Sequence, residues 1–388
     1  MCLDLLIRPE EIRHLARQYG TPLYLLDTQR VVRAMRGLAD GLLRFYADAE
    51  VTYSVKSNYL AGILRAVLAA GFRLEVVSRH ELALAESLGA TPGQLLFNGP
   101  GKTREDLAYC QRQGIGLNVD SLDELRLAAS LGTTMRVGLR IAATLQNGSL
   151  SRFGLCESDF DEVRQSPVRV VGLHLHHSSR RDAPSYCHRL DQLRAVAEAL
   201  AIRPEYYDLG GGIASVPPPE VAAQLPYPID SPEQWTETVG RHAARVLGPA
   251  GPRVILEPGI GVLASCLQYV TSITAVKRRP TGEIAVCDGS LFDVNPLRST
   301  IHPPCVVLGR EGTESVPLYG GTCMEIDQLG TLAATPAPGD LAVVGNVGAY
   351  SVSLAPQFIV PPAPVYAVDT GELLRARSAS GDFAGAGR

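Results

Sequence analysis

Little in this 388-residue sequence is extreme, and each missing extreme excludes a class of function. Neither sign of charge is in excess. The 36 basic and 40 acidic residues leave a formal net charge of -4, which gives no electrostatic reason to expect nucleic acid or an anionic membrane as partner. No apolar run approaches the length of a membrane span. The opening Met-Cys-Leu-Asp-Leu-Leu-Ile-Arg lacks the basic start and apolar core of a signal peptide. The eight cysteines are scattered, none at metal-ligand spacing, and a chain this long needs no disulfide staples. Reduced thiols, a cytoplasmic location and no metal are therefore expected. The dinucleotide fingerprint GxGxxG is absent, and the only repetition is a β/α alternation.

That alternation is the main content of the chain. Val51–Val55, Arg73–Val77, Leu95–Phe97, Ile115–Val119, Met135–Leu139, Val170–Leu175, Tyr206–Leu209 and Arg253–Leu256 read as short buried strands, each followed by a helical pattern. Eight such units predict parallel strands closed into a (β/α)8 TIM barrel over residues 28–264. A doubly wound open sheet is the alternative. After Ala264 the strand-like segments are short and separated by Gly and Pro. They predict an all-β domain over 265–376, joined by residues 1–27 through the apolar stretch Pro22–Asp27. Residues 377–388 are rich in Gly, Ala, Ser and Arg and read as a disordered tail.

A barrel puts its function at the C-terminal ends of the strands. The residues there are Lys56, Ser78, Asn98, Asp120, Arg140, His176, Gly210-Gly211-Gly212 and Glu257, polar or glycine in every case. Lys56 either snorkels to solvent or is a desolvated amine whose neutral form can make a Schiff base. The three glycines can aim successive N–H groups at an anion, and loops after the last two strands are the usual phosphate site of barrels; a plain flexible loop is the alternative. Glu257 suits a cation or a protonated nitrogen, or is only a structural ion pair. His174 and His176 share a face by the two-residue period, while His177 points away. No third residue has metal-ligand spacing, so an imidazole stacked on a flat ring fits, with Ser179 free to donate to a phosphate. Cys323, in Tyr-Gly-Gly-Thr-Cys-Met-Glu-Ile-Asp, is either an inert core thiol or, given its glycines and Glu325 and Asp327, a functional one.

A lysine, a glycine loop for phosphate, a carboxylate and a flat-ring stacker together describe a pyridoxal phosphate site. The motifs Tyr53-Ser54-Val55-Lys56-Ser57-Asn58, Glu75-Val76-Val77-Ser78, Asn98-Gly99-Pro100-Gly101-Lys102, Arg152-Phe153-Gly154, His174-Leu175-His176, Asp208-Leu209-Gly210-Gly211-Gly212, Glu257-Pro258-Gly259, Cys323 and Gly348-Ala349-Tyr350 follow one another in that order. Over about residues 20–370 the sequence thereby resembles the fold-type III pyridoxal phosphate decarboxylases, the family of diaminopimelate and ornithine decarboxylases. The resemblance implies an alanine-racemase-like barrel and pyridoxal 5'-phosphate as cofactor. It implies that Lys56 carries the cofactor and His176 stacks on it. Ser179, Gly210, Gly211, Gly212 and Tyr350 would hold the phosphate, and Glu257 would pair with the ring nitrogen. Arg140 and Glu75 would form the polar network behind the ring. Asp288, Arg298, Met324 and Glu325 would face substrate. Cys323 would reach into the partner subunit's site, making an obligate homodimer.

A carboxylate at Glu257 favours decarboxylation over racemisation, because it keeps the ring nitrogen protonated. Two departures from the family pattern bear on the substrate. Ile260 stands where an arginine usually follows Glu-Pro-Gly, and Met324 stands where an acid receives the substrate's distal amine. These predict a specialised decarboxylase of an unusual or conjugated amino acid, in a siderophore or antibiotic type of pathway, with Arg180 and Arg181 replacing the missing positive charge. The alternatives are a diaminopimelate decarboxylase with drifted contacts, a fold-type III racemase, and a non-catalytic regulator of a partner decarboxylase.

Overall fold

A computed structural model describes residues 3–132, 135–145, 147–177, 181–213, 216–225 and 228–376; the expected tail lies outside them. The first strand, β1 (Leu23–Leu26), stands apart from the alternation. Then β2 (Ala49–Ser54), β3 (Arg73–Val76), β4 (Leu95–Phe97), β5 (Gly116–Val119), β6 (Arg136–Arg140), β7 (Arg169–His174), β8 (Tyr206–Asp208) and β9 (Arg253–Leu256) pair in sequence order, all parallel. Because β9 pairs back onto β2, the sheet is a closed barrel, and the open doubly wound sheet is excluded.

The helices between the strands start where the sequence offers a cap. Ser78, Thr103, Ser121, Asp182 and Ser231 each accept the backbone N–H three residues on. Their apolar faces cover the barrel. In the helix Ala183–Ala199 the buried face is Tyr186, Arg189, Leu190, Leu193 and Ala197, a helical spacing with one arginine in it.

The remaining strands are β10 (Leu267–Arg279), β11 (Gly282–Cys287), β12 (Cys305–Val307), β13 (Val316–Tyr319), β14 (Gln328–Leu332), β15 (Leu341–Val344), β16 (Val365–Ala367) and β17 (Glu372–Arg375). With β1 they form one nine-stranded sheet in the order β11-β13-β14-β12-β15-β10-β1-β16-β17. The early strand does join it, antiparallel to β10 and parallel to β16. β13, β14 and β17 carry Pro317, Gly330 and two charged ends, which hid them from a propensity reading. A single buried apolar cluster runs from the barrel into this sheet. The two parts are also pinned at the site. Asn58 Nδ2 donates to Gly348 O at 2.9 Å, and Ser57 O accepts from Tyr350 N at 2.7 Å and Ser353 Oγ at 3.1 Å. Among the described residues no helix is long and apolar enough to cross a membrane.

Candidate active site

β2 stops at Ser54, one residue earlier than its apolar pattern suggests, and Val55–Ser57 form a turn of 3-10 helix. Lys56 therefore stands on a turn at the barrel mouth, its side chain 38 % accessible. Its Nζ is 2.8 Å from Glu75 Oε2 and 2.9 Å from Ser54 Oγ, and Ser54 Oγ itself donates to Glu75 Oε2 at 2.6 Å. Of the two sequence readings of Lys56, these contacts fit the charged amine rather than the neutral one. Burial works against the charge, but Glu75 and Glu257 outweigh it and hold the Lys56 pKa above the ordinary lysine value.

The glycine loop follows β8. Gly210 and Gly212 have φ of 67° and 101°, backbone that a larger residue would strain. A Cβ on Gly211 would lie 2.3 Å from Glu257 O, so the loop can approach β9 only without a side chain there. Two buried groups hold it from behind. Arg189 donates to Leu209 O at 2.8 Å, to Gly211 O at 3.2 Å and to His177 O at 2.9 Å, and Tyr186 OH donates to Gly211 O at 2.7 Å.

β7 ends at His174, so the three histidines divide differently from a strand's alternation. His174 is buried, with Nε2 3.5 Å from Glu257 Oε2. His176 Nδ1 accepts from Gly211 N at 3.1 Å, which places the ring proton on Nε2. Burial, then nearby Lys56, His174 and Arg189, push its pKa well below that of free imidazole, so the ring is neutral. His177 does point away, its Nε2 3.1 Å from Thr144 O.

Glu257 closes the site floor. Asn98 Nδ2 donates to its Oε1. Burial opposes its charge, but His174 and Lys56 hold its carboxyl well below the usual range. Its neighbour Asp208 goes the other way: burial and the Glu257 charge push its carboxyl well above that range. Asp208 Oδ1 accepts from Gly210 N at 2.9 Å, and Oδ2 is buried without a protein partner. The donor atoms of His174, Asp208 and Glu257 lie within 4.8 Å of one another. Linear spacing had missed that grouping because the three come from adjacent strands.

Other expected residues fall further out. Arg140 pairs with Asp120 at 3.2 Å and stacks on Phe153 at 4.3 Å. Tyr350 is half-buried beside the Lys56 turn, with φ of 66°. Asp288 is held by the sheet: Thr21 Oγ1, Thr271 Oγ1 and Ser272 N donate to it at 2.6, 2.6 and 2.9 Å. Arg298 is exposed, 5.6 Å from the Phe292 ring. Cys323 and Glu325 are exposed and Met324 half-buried on a loop anchored by Asp327, which accepts from Thr322 N at 3.0 Å and Leu291 N at 2.6 Å. Arg181 is half-buried, its carbonyl accepting from Trp235 Nε1 at 3.3 Å. Ser179 and Arg180 lie outside the described residues. Ser54, Arg189 and Asn118 were missed; only Arg189 left a signal, as a charge on an apolar helix face.

Residues 29–264 match the family model described as "Pyridoxal-dependent decarboxylase, pyridoxal binding domain". The chain is 28% identical to a diaminopimelate decarboxylase of Deinococcus radiodurans, over 95% of this chain and 96% of that one. It is also 28% identical to the L-glutamyl-[BtrI acyl-carrier protein] decarboxylase of Niallia circulans, over 96% and 95%. The crystal structure of a diaminopimelate decarboxylase from M. jannaschii shares the fold, with a TM-score of 0.86 at 23% identity, over 97% of this chain and 94% of that one. The described residues fit the cofactor this family takes. An amine stands at the mouth, the bare backbone of Gly210–Gly212 packs closely on Glu257 and His176, that imidazole is neutral, and an ionised carboxylate lies beneath. The chain belongs to the pyridoxal-dependent decarboxylases of fold type III, amino-acid decarboxylases whose cofactor is pyridoxal 5'-phosphate.

Proposed function

We propose that this enzyme decarboxylates an α-amino acid whose distal end carries no free ammonium, such as a side-chain conjugate in a specialised pathway. The observation that carries the reading is Met324, which follows Cys323 where an acid would receive that ammonium. A distal charge left without a partner in a closed site costs on the order of several kcal/mol. Ile260 removes a further charge near Glu257. The Niallia circulans relative, named for a carrier-bound glutamyl group, is as similar as the Deinococcus radiodurans one. A diaminopimelate decarboxylase is the second reading, favoured by the name of most relatives.

Bound pyridoxal phosphate supplies the electron sink for the charge left at Cα when carbon dioxide departs. Lys56 Nζ would hold the cofactor covalently; Glu75 and Ser54 orient that atom, and the Glu75 carboxylate can accept its proton. Gly210–Gly212 and Tyr350 hold the phosphate. His176, neutral with its proton on Nε2, offers an uncharged ring to stack. Glu257 keeps the ring nitrogen protonated. Cys323 of the partner subunit returns a proton to Cα from Sγ. The exposed Ile326, Leu354, Phe358, Ile359 and Val360 supply apolar surface that a second copy would cover in a homodimer.

The test is carbon dioxide release by the cofactor-loaded protein from meso-diaminopimelate, lysine, ornithine, arginine and a side-chain amide of glutamate. Release from the amide alone is expected. Faster release from free diaminopimelate would overturn the reading in favour of the second.

A further inference from the structure

Below Glu257 the barrel interior holds a single file of polar groups. Tyr206 OH donates to Asn118 Oδ1 at 2.6 Å, Asn118 Nδ2 donates to Asn98 Oδ1 at 2.7 Å, and Asn98 Nδ2 donates to Glu257 Oε1. Asn98, Asn118 and Glu257 are each at most 3 % exposed.

Strand register brings the file together. Asn118 on β5 pairs with Gly138 on β6, Gly138 with Gly172 on β7, and Gly172 with Tyr206 on β8. The tyrosine ring crosses both glycines to reach the asparagine. A Cβ on Gly172 would lie 2.0 Å from the ring, and one on Gly138 would lie 1.8 Å from Asn118 Oδ1 and 2.2 Å from Tyr206 OH. Two side chains of the layer are therefore missing so that one long contact can form. A barrel layer filled only for packing would use branched apolar residues.

The order of the file has one consistent polarity. An ionised carboxylate accepts only, so Asn98 must turn its NH2 to Glu257 and its oxygen to Asn118. Asn118 must then turn its NH2 to Asn98 and its oxygen to Tyr206. The phenol can donate there, and it ends the file. The carboxylate sets that polarity; without the hydroxyl Asn118 Oδ1 is left buried without its donor, and the file loses its support from below. Asn118 is then free to shift, and Asn98 holds its NH2 on Glu257 less firmly, which weakens the support for the charged carboxylate.

We propose that Tyr206, Asn118 and Asn98 are positioning residues that hold the Asn98 amide donor on Glu257 and so support the protonation of the cofactor's ring nitrogen. The proposal rests on the reading of Glu257 as that nitrogen's partner.

The test loads the protein with pyridoxal phosphate labelled with 15N in the ring and reads the nitrogen's chemical shift, together with the cofactor dissociation constant. Glu257→Gln sets the scale. Tyr206→Phe is expected to move the shift part of the way towards the Glu257→Gln value and to weaken cofactor binding roughly tenfold. kcat should fall with KM little changed. Asn118→Leu, with the same number of side-chain heavy atoms and no hydrogen-bonding group, should move the shift in the same direction, which keeps the test readable if either variant folds poorly. A shift that stays at the wild-type value in both, while Glu257→Gln moves it, would make the file mere packing and overturn the proposal. A shift unmoved in Glu257→Gln itself would instead sink the reading of Glu257.

Discussion

At Lys56 two carboxylates decide the charge, Glu75 foremost and Glu257 behind it. Glu75 at 2.8 Å keeps the amine protonated until something takes the proton or displaces the contact, so the resting residue is an ion pair and not a free nucleophile. Arg189 acts one layer back: it donates to three carbonyls of the loops that carry His177, Leu209 and Gly211. Replacing it leaves buried acceptors without donors. Arg189→Met should cost about 2–4 kcal/mol of stability, read by denaturant unfolding, and should weaken cofactor binding by more than about tenfold. The strand-end residues Lys56 and Glu257 were legible in the sequence because a polar group closing an apolar strand is conspicuous. The Lys56–Glu75 pairing was not, since it depends on where β2 gives way to a 3-10 turn. Asn118 was hidden because it lies within β5, where nothing in the pattern separates a packed residue from a hydrogen-bonded one.

At the scale of elements, local chemistry was enough to find the helices and the barrel strands. Cap residues and apolar spacing are properties of neighbouring residues, and Leu95–Phe97 and Arg253–Leu256 match their expected bounds. Strand ends shifted by one or two residues where turns took over, as at Ser54 and His174. In the helix Thr28–Leu43 Gly37 is exposed, and a Cβ there would meet nothing within 4 Å. Glycine in such a place costs helix stability without serving packing, so Gly37→Ala should stabilise the protein by about 0.5–1 kcal/mol. A thermal melt of the two proteins checks it, with a higher Tm expected for the variant. Gly211 shows the opposite case, since its Cβ would collide with the backbone of Glu257.

For the whole molecule, the closed barrel was foreseeable from the count of β/α units, whereas the sheet's strand order was not. That order links β1 to β10 and β16 across more than two hundred residues of intervening chain, and no local pattern encodes it. If the sites are shared between two copies, Lys56→Ala and Cys323→Ala should each be inactive alone. Dissociated and reassociated as an equal mixture, they should recover about a quarter of the wild-type rate, because half the dimers then hold one intact site. Recovery of nothing would place Cys323 in its own protomer's chemistry, and activity of Cys323→Ala alone would place it outside the chemistry. The central claim, that the mouth of this barrel carries the cofactor on Lys56, is tested most directly by borohydride reduction of the cofactor-loaded protein followed by peptide mass mapping. The account predicts one pyridoxyl phosphate group per chain, on Lys56, with none in Lys56→Ala; a label on another lysine, or none on wild type, would contradict it.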